Sequence, residues 1–240
     1  MKIDIMGVPF DSVTMGEALE QAKILLHGDK PSYCVTPNPE IVYETMHNPE
    51  FARLVNNASL ILPDGIGVIY AGKILKTPLK EKVTGVGFAT NLLSILAEEG
   101  LPLYLLGSKP GVAQLAGEKM VELHPNLQIC GVADGYFKDE NQVVAKIREA
   151  KPAALFVCLG SPKQEQFMAN YAQELGASLM VGLGGTLDVF AGTVQRAPAW
   201  TQKIGMEWLY RMVKEPKRFK RFMRLPKFMF AVLGKRLKGC

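Results

Sequence analysis

Cys34-Val35-Thr36-Pro37-Asn38-Pro39-Glu40 and the later run Leu60-Ile61-Leu62-Pro63-Asp64-Gly65 share one pattern, a short apolar segment that ends in a polar turn. Both read as strands that hand over to helices. In an open parallel sheet, ligands collect outside the carboxyl ends of the strands, so Thr36, Asn38 and Asp64 are expected to face one crevice. Asn38 followed by Pro39 is helix-start chemistry, with Asn as N-cap and Pro at the first helical position. The backbone N–H groups of such a start point outward and suit a phosphate or sugar oxygen.

Working outward, the same alternation recurs along the chain. A first strand is expected near Lys2–Ile5, and Thr14 with Glu17 three positions later forms a capping box that opens a helix ending near Leu26. Asn38-Pro39-Glu40 and Asn48-Pro49-Glu50 repeat one helix-start pattern and predict two short helices across residues 39–57. Residues 73–85 show no period and read as an exposed connection. Further strands are expected at Leu103–Leu106, Gln128–Val132, Ala153–Leu159 and Leu179–Val181, with helices between them. Strands alternating with helices predict an α/β fold, a Rossmann-like, mostly parallel sheet with helices on both faces. A C-terminal amphipathic helical tail completes it, dividing the chain into an α/β body at residues 1–210 and a tail at 211–240.

The totals agree with one sizeable core: 240 residues, 48% of them hydrophobic. The cysteines, Cys34, Cys130, Cys158 and Cys240, are far apart and read as free thiols of a reducing compartment. No Cys/His cluster has metal-ligand spacing, and His27, His47 and His124 stand near expected helix ends, so no metal site is assigned. Asp4 interrupts what a secretion signal would need as a continuous apolar run, and no apolar stretch approaches the ~20 residues of a membrane span.

The net charge of +5 conceals an asymmetry. Residues 211–240 hold 11 Lys/Arg and one acid, net +10, which leaves the body at −5. Within the tail, basic and large apolar residues alternate at helical spacing, with Phe219, Phe222 and Met223 on one face. A terminal helix packed on the body, or a nucleic-acid contact, would also use such a segment. The acidic body argues against nucleic acid, and aromatics with Met suit acyl chains, so an anionic membrane surface is the favoured partner.

Several turns carry polar groups suited to a sugar nucleotide. Pro63-Asp64-Gly65 is an ordinary turn sequence, but a carboxylate at a strand end, flanked by Gly65 and Gly67, has what a general base needs. Thr36 and Asn38 serve equally well as local hydrogen-bond partners of the backbone. Gly107-Ser108 and Gly184-Gly185-Thr186 suit phosphates or plain connections. Gly85-Val86-Gly87-Phe88-Ala89-Thr90 lacks the final Gly and the preceding strand of a dinucleotide fingerprint, which argues against a nucleotide-dependent oxidoreductase. Ser161-Pro162-Lys163-Gln164-Glu165-Gln166 offers amide and ammonium groups for hydroxyls or phosphate. No Asp-x-Asp pair occurs, so a departing diphosphate would need Arg, Lys and helix N-termini for neutralisation.

Together these segments resemble the WecG/TagA/CpsF family of bacterial glycosyltransferases. The resemblance runs from Thr36-Pro37-Asn38 through Pro63-Asp64-Gly65, Gly135-Tyr136-Phe137, Gly160-Ser161-Pro162-Lys163-Gln164-Glu165 and Gly184-Gly185-Thr186-Leu187-Asp188-Val189. It ends with Arg196-Ala197-Pro198 and Glu207-Trp208-Leu209-Tyr210-Arg211. It implies inverting, metal- and cofactor-free transfer of N-acetylmannosamine from its UDP donor to undecaprenyl-diphosphate-linked N-acetylglucosamine (GlcNAc), as in wall teichoic acid synthesis. Such an enzyme is peripheral on the inner face of the cell membrane. By the same resemblance Asp64 is the base; Thr36, Asn38, Lys82 and Gln164 hold the sugars; and Gly107, Ser108, Gly135, Tyr136, Gly184, Gly185 and Asp188 line the nucleotide. Arg211, Arg218 and Arg221 match tail arginines that stabilise the UDP leaving group. Where the family commonly has Glu-Arg followed within five residues by Asp, this chain has Glu81-Lys82 and Gly87. Another UDP-sugar donor, such as glucose or a uronic acid, a non-enzymatic membrane module and a homo-oligomer all stay compatible with the sequence.

Overall fold

In the computed structural model the described residues are 1–194 and 223–238. Six strands form one wholly parallel sheet in the order β4-β3-β8-β7-β5-β6: β3 (Ser32–Val35), β4 (Leu60–Ile61), β5 (Leu103–Gly107), β6 (Ile129–Ala133), β7 (Ala154–Cys158) and β8 (Leu179–Gly182). The fold is α/β and Rossmann-like, as the alternation predicts.

The expected strand at the N-terminus exists but lies outside this sheet. β1 (Lys2–Ile5) pairs antiparallel with β2 (Val8–Asp11) in a separate hairpin. Its two turn residues, Met6 and Gly7, both take positive φ, 57° and 90°, as a type I′ hairpin turn requires.

Alternate strand residues feed two cores, one on each face. Leu103, Leu105, Ala154, Phe156, Leu179 and Val181 pack toward α1 (Met15–Leu26), α5 (Gly85–Glu99) and α6 (Val112–Leu123). Tyr104, Leu106, Leu155, Val157 and Met180 face the opposite way. That second core holds residues of α2 (Pro39–Thr45), α3 (Pro49–Asn56), α4 (Ile66–Ile74), α7 (Glu140–Ala150) and α8 (Lys163–Leu175). The helix starts read from sequence are real: Thr14 and Glu17 form the reciprocal capping box, and Asn38 and Asn48 each accept from the N3 backbone N–H. Cys34 and Cys158 are buried free thiols and Cys130 is partly buried; Cys240 lies outside the described residues.

The connection at 73–85 differs from the expectation. α4 continues through Ile74, and Leu79 and Val83 are buried, because Lys80 N–H donates to Ser12 Oγ and Val83 N–H to the Pro63 carbonyl. These bonds to distant segments hold an aperiodic stretch against the body.

Of the tail, the helix Arg224–Lys238 is described, numbered here α10. Phe228 and Val232 are fully buried in the second core, and α10 packs on α2 and α4. Arg224 pairs with Glu44 at 2.7 Å and Lys235 with Asp4 at 3.4 Å. The opposite side presents Phe230, Leu233 and Leu237, all exposed, flanked by Arg236 and Lys238. No helix among the described residues is long and apolar enough to cross a membrane. Phe219 and Phe222 of the expected apolar face lie outside the described residues.

Candidate active site

The sheet order creates a switch point at β3 and β8. The chain leaves β3 toward α2 on one face, and leaves the neighbouring β8 toward α9 (Thr186–Phe190), whose Leu187 joins the other core. Divergent connections open a crevice at the carboxyl ends of the strands. The crevice is a cavity of about 790 Å³ that extends from the turn after β4 to the turn after β6.

At the β4 end stands Asp64, half-buried. Its Oδ2 accepts from the Gly85 N–H at 3.3 Å, while its own N–H donates to the Pro37 carbonyl at 3.3 Å. The carboxylate is therefore held at the start of α5, on the cavity wall. Thr36 Oγ1 donates to the Gly182 carbonyl at 3.1 Å and ties β3 to β8. Asn38 Oδ1 accepts from Ile41 N–H as the α2 cap. Both side chains thus have backbone roles, and both still line the cavity.

At the opposite end the turn after β5 is sharply folded. Gly107 has φ +135°, and a Cβ there would run into the Cys158 backbone; Ser108 follows with φ +59°. This bend aims Ser108 Oγ at Asp188, to which it donates at 2.8 Å across the sheet. Gly135 N–H donates to the Ser108 carbonyl, and Asp134 accepts from Tyr136 N–H at 2.8 Å. That turn presents the Tyr136 ring, 68% exposed, at the cavity edge.

Gln164, 2% exposed, joins the two halves. Its Oε1 accepts from the Gly184 N–H at 2.9 Å and its Nε2 donates to Glu165 Oε1 at 2.9 Å. A Gln164→Ala substitution leaves the Gly184 N–H without that acceptor. It is expected to cost about 1–3 kcal/mol of stability, read as a lower midpoint in denaturant unfolding.

The starts of α4, α8 and α9, which border the cavity, have no side-chain cap, and neither has α6; α1, α2, α3, α5 and α7 do, those of α2 and α5 through the lining residues Asn38 and Thr84. Uncapped N–H groups around one cavity favour bound anions. Lys82, Lys109 and Lys163 add positive charge to its lining. Lys163 Nζ donates to the Gly135 carbonyl at 3.4 Å and sits 4.1 Å above the Phe137 ring. Cys158 also lines the cavity, but burial pushes its thiol up to about 12, so it is not a nucleophile near neutral pH. Among the described residues no group of three or more His, Cys, Asp or Glu side chains could hold a metal ion.

Thus Thr36, Asn38, Asp64, Lys82, Ser108, Gly135, Tyr136, Gln164, Gly184, Gly185 and Asp188 line one cavity. Gly107 lies just behind it as the hinge of its turn. Arg211, Arg218 and Arg221 lie outside the described residues. The sequence reading missed Leu225 and Met229 of α10, and Ile66 and Tyr70 of α4, which supply an apolar wall.

Residues 3–239 match the model of the glycosyl transferase WecG/TagA/CpsF family. The chain belongs to this family. Among its relatives is the N-acetylglucosaminyldiphosphoundecaprenol N-acetyl-β-D-mannosaminyltransferase of Bacillus spizizenii strain W23, 37% identical over 208 residues, 87% of this chain and 81% of the relative. The protein of the same name from Staphylococcus aureus strain MW2 is 35% identical over 235 residues, 96% of this chain and 92% of the relative. Against the family's common pattern, the structure accounts for Gly87 locally. A Cβ there would meet Thr84 Oγ1 at 2.8 Å and Met15 Cε at 3.3 Å, and Thr84 Oγ1 already caps the Gly87 N–H. Glu81 turns away to accept from Met15 N–H, leaving Lys82 on the cavity.

Proposed function

We propose that this glycosyltransferase moves N-acetylmannosamine from UDP-ManNAc to GlcNAc carried on undecaprenyl diphosphate, with inversion, at the inner face of the cell membrane. The observation that carries the reading is the cavity's polarity. Three carboxylates line it, Glu40, Asp64 and Asp188; Asp188 is engaged by Ser108 Oγ, Asp64 stands at the β4 end, and the uncapped starts of α8 and α9 with Lys109 and Lys163 add positive potential elsewhere. The relatives' names supply the sugar and the lipid carrier.

In this reading the donor lies with its base on Tyr136, its ribose toward Ser108 and Asp188, and its diphosphate on the starts of α8 and α9. Thr36, Asn38, Lys82 and Gln164 surround the sugars. Asp64 takes the proton of the acceptor hydroxyl as its oxygen attacks the anomeric carbon from the side opposite UDP. The bond to UDP breaks, and its electron pair leaves on the β-phosphate. Lys109, the helix starts and the tail arginines neutralise that charge, without metal or cofactor. The Phe230, Leu233 and Leu237 stripe with its basic neighbours would lie on anionic lipid.

A transfer assay with a short-chain GlcNAc-diphospholipid and a panel of UDP-sugars tests this. Turnover with UDP-ManNAc should exceed UDP-GlcNAc or UDP-glucose by roughly 100-fold and persist in EDTA. Preference for another sugar would reassign the donor. Vesicle binding without turnover on any sugar would leave only a membrane module.

A further inference from the structure

Two pairs of apolar side chains face the same end of the cavity, the end that holds Asp64. Ile66 and Tyr70 stand one turn apart on α4, and Leu225 and Met229 one turn apart on α10. The two helices are in close contact there. A Cβ on Gly67 would meet Pro39 Cγ at 2.7 Å and Leu225 Cδ1 at 3.1 Å. Tyr70 is 46% exposed, so this wall reaches the protein surface.

Around α10, at about 100° per residue, Leu225 and Met229 fall between two other stripes. On one side are the buried Phe228 and Val232; on the other are the exposed Leu233, Leu237 and Phe230. Apolar surface therefore runs from the cavity beside Asp64 to the outside of α10, where Arg236 and Lys238 flank it. A water-soluble sugar nucleotide has no use for such a wall. The geometry points to a channel for the prenyl stem of the lipid-linked acceptor between α4 and α10, with Ile66, Tyr70, Leu225 and Met229 enclosing the part next to the diphosphate. This inference rests on the lipid-acceptor reading given above. It adds a limit: one helical turn spans about 6 Å, so only the first one or two isoprene units are enclosed, and the remainder stays in the bilayer.

The test uses full-length protein in buffer free of vesicles and detergent, with saturating UDP-ManNAc. The acceptors are GlcNAc-diphosphates carrying a methyl group or prenyl tails of five, ten or fifteen carbons. From methyl to ten carbons kcat/KM should rise about 10- to 100-fold through KM, as burial of a few CH₂ groups requires. From ten to fifteen carbons it should change less than about threefold, because the extra unit lies beyond the enclosed turn. In Tyr70→Glu, and separately in Met229→Glu, the advantage of the ten-carbon tail over methyl should shrink to less than about threefold. UDP affinity reports that each variant has folded. Equal kcat/KM for the methyl and ten-carbon acceptors in the unmodified protein would overturn the channel and leave the transfer reading standing. Unchanged tail dependence in both variants would likewise overturn it. If instead Tyr70→Glu altered only the sedimentation of the protein, the wall would belong to a contact with a second copy. No turnover on any acceptor would remove the transfer reading and the channel with it.

Discussion

Replacing Asp64 with Asn is expected to slow sugar transfer by at least about 100-fold, the usual scale of losing a general base, while UDP binds as before. Asn has the same size and its carbonyl oxygen can still accept from the Gly85 N–H, so the turn keeps its shape. What disappears is the ability to take a proton. Ser108 and Asp188, which the proposed reading gives to the nucleotide, bond to each other at 2.8 Å beyond the ends of β5 and β8, whereas Asp64 follows β4 at the sheet's other end. Steady-state turnover, with UDP affinity by calorimetry, separates the two effects. A turnover within a few-fold of the unmodified enzyme would move the base to another residue.

The second large effect concerns the tail arginines. Arg218→Ala and Arg221→Ala should each lower kcat by roughly 10²- to 10³-fold, as removal of one donor to a developing anion does. KM for UDP-ManNAc should change little, because the charge on the leaving phosphate develops during the reaction. Lys at either position should restore only part of the rate, since an ammonium lacks the bidentate fork. Point substitutions carry this test better than truncation. Deleting residues 211–240 would also remove Phe228 and Val232, both fully buried between α2 and α4, and loss of a buried Phe alone costs about 3–5 kcal/mol. If the variants kept full kcat and lost only affinity for vesicle-borne acceptor, the arginines would be membrane contacts and not catalytic.

The sheet could be read from sequence because each strand is a short apolar run closed by a polar turn, and because the helix starts carry their own signals. Thr14 with Glu17, Asn38-Pro39 and Asn48-Pro49 need only local chemistry and form as expected. The β1–β2 hairpin was not legible. β2 has only four residues, one of them Pro9, and its turn puts Met6 at φ 57°, a conformation Met does not advertise. The burial of Leu79 and Val83 depends on Ser12 and Pro63, partners that no local pattern reveals.

The candidate site shows the same division. Asp64 and the glycine turns stood out because strand ends concentrate ligands. Their linkage did not, since Thr36 meets Gly182 and Ser108 meets Asp188 across 146 and 80 residues of chain. For the tail, alternating basic and apolar residues signalled an amphipathic helix. Which turn of it faces the cavity depends on how α10 docks against Gly67 and Pro39, and that is a property of the fold.

On the proposed reading, with Asp64 as base and the donor diphosphate on the starts of α8 and α9, transfer is one displacement with no covalent intermediate. The configuration of the product tests this most directly. When α-linked UDP-ManNAc is used with the short-chain acceptor, NMR of the isolated disaccharide lipid should show the new sugar in a β linkage. An α linkage would mean retention, and would contradict Asp64 acting as base in a single displacement.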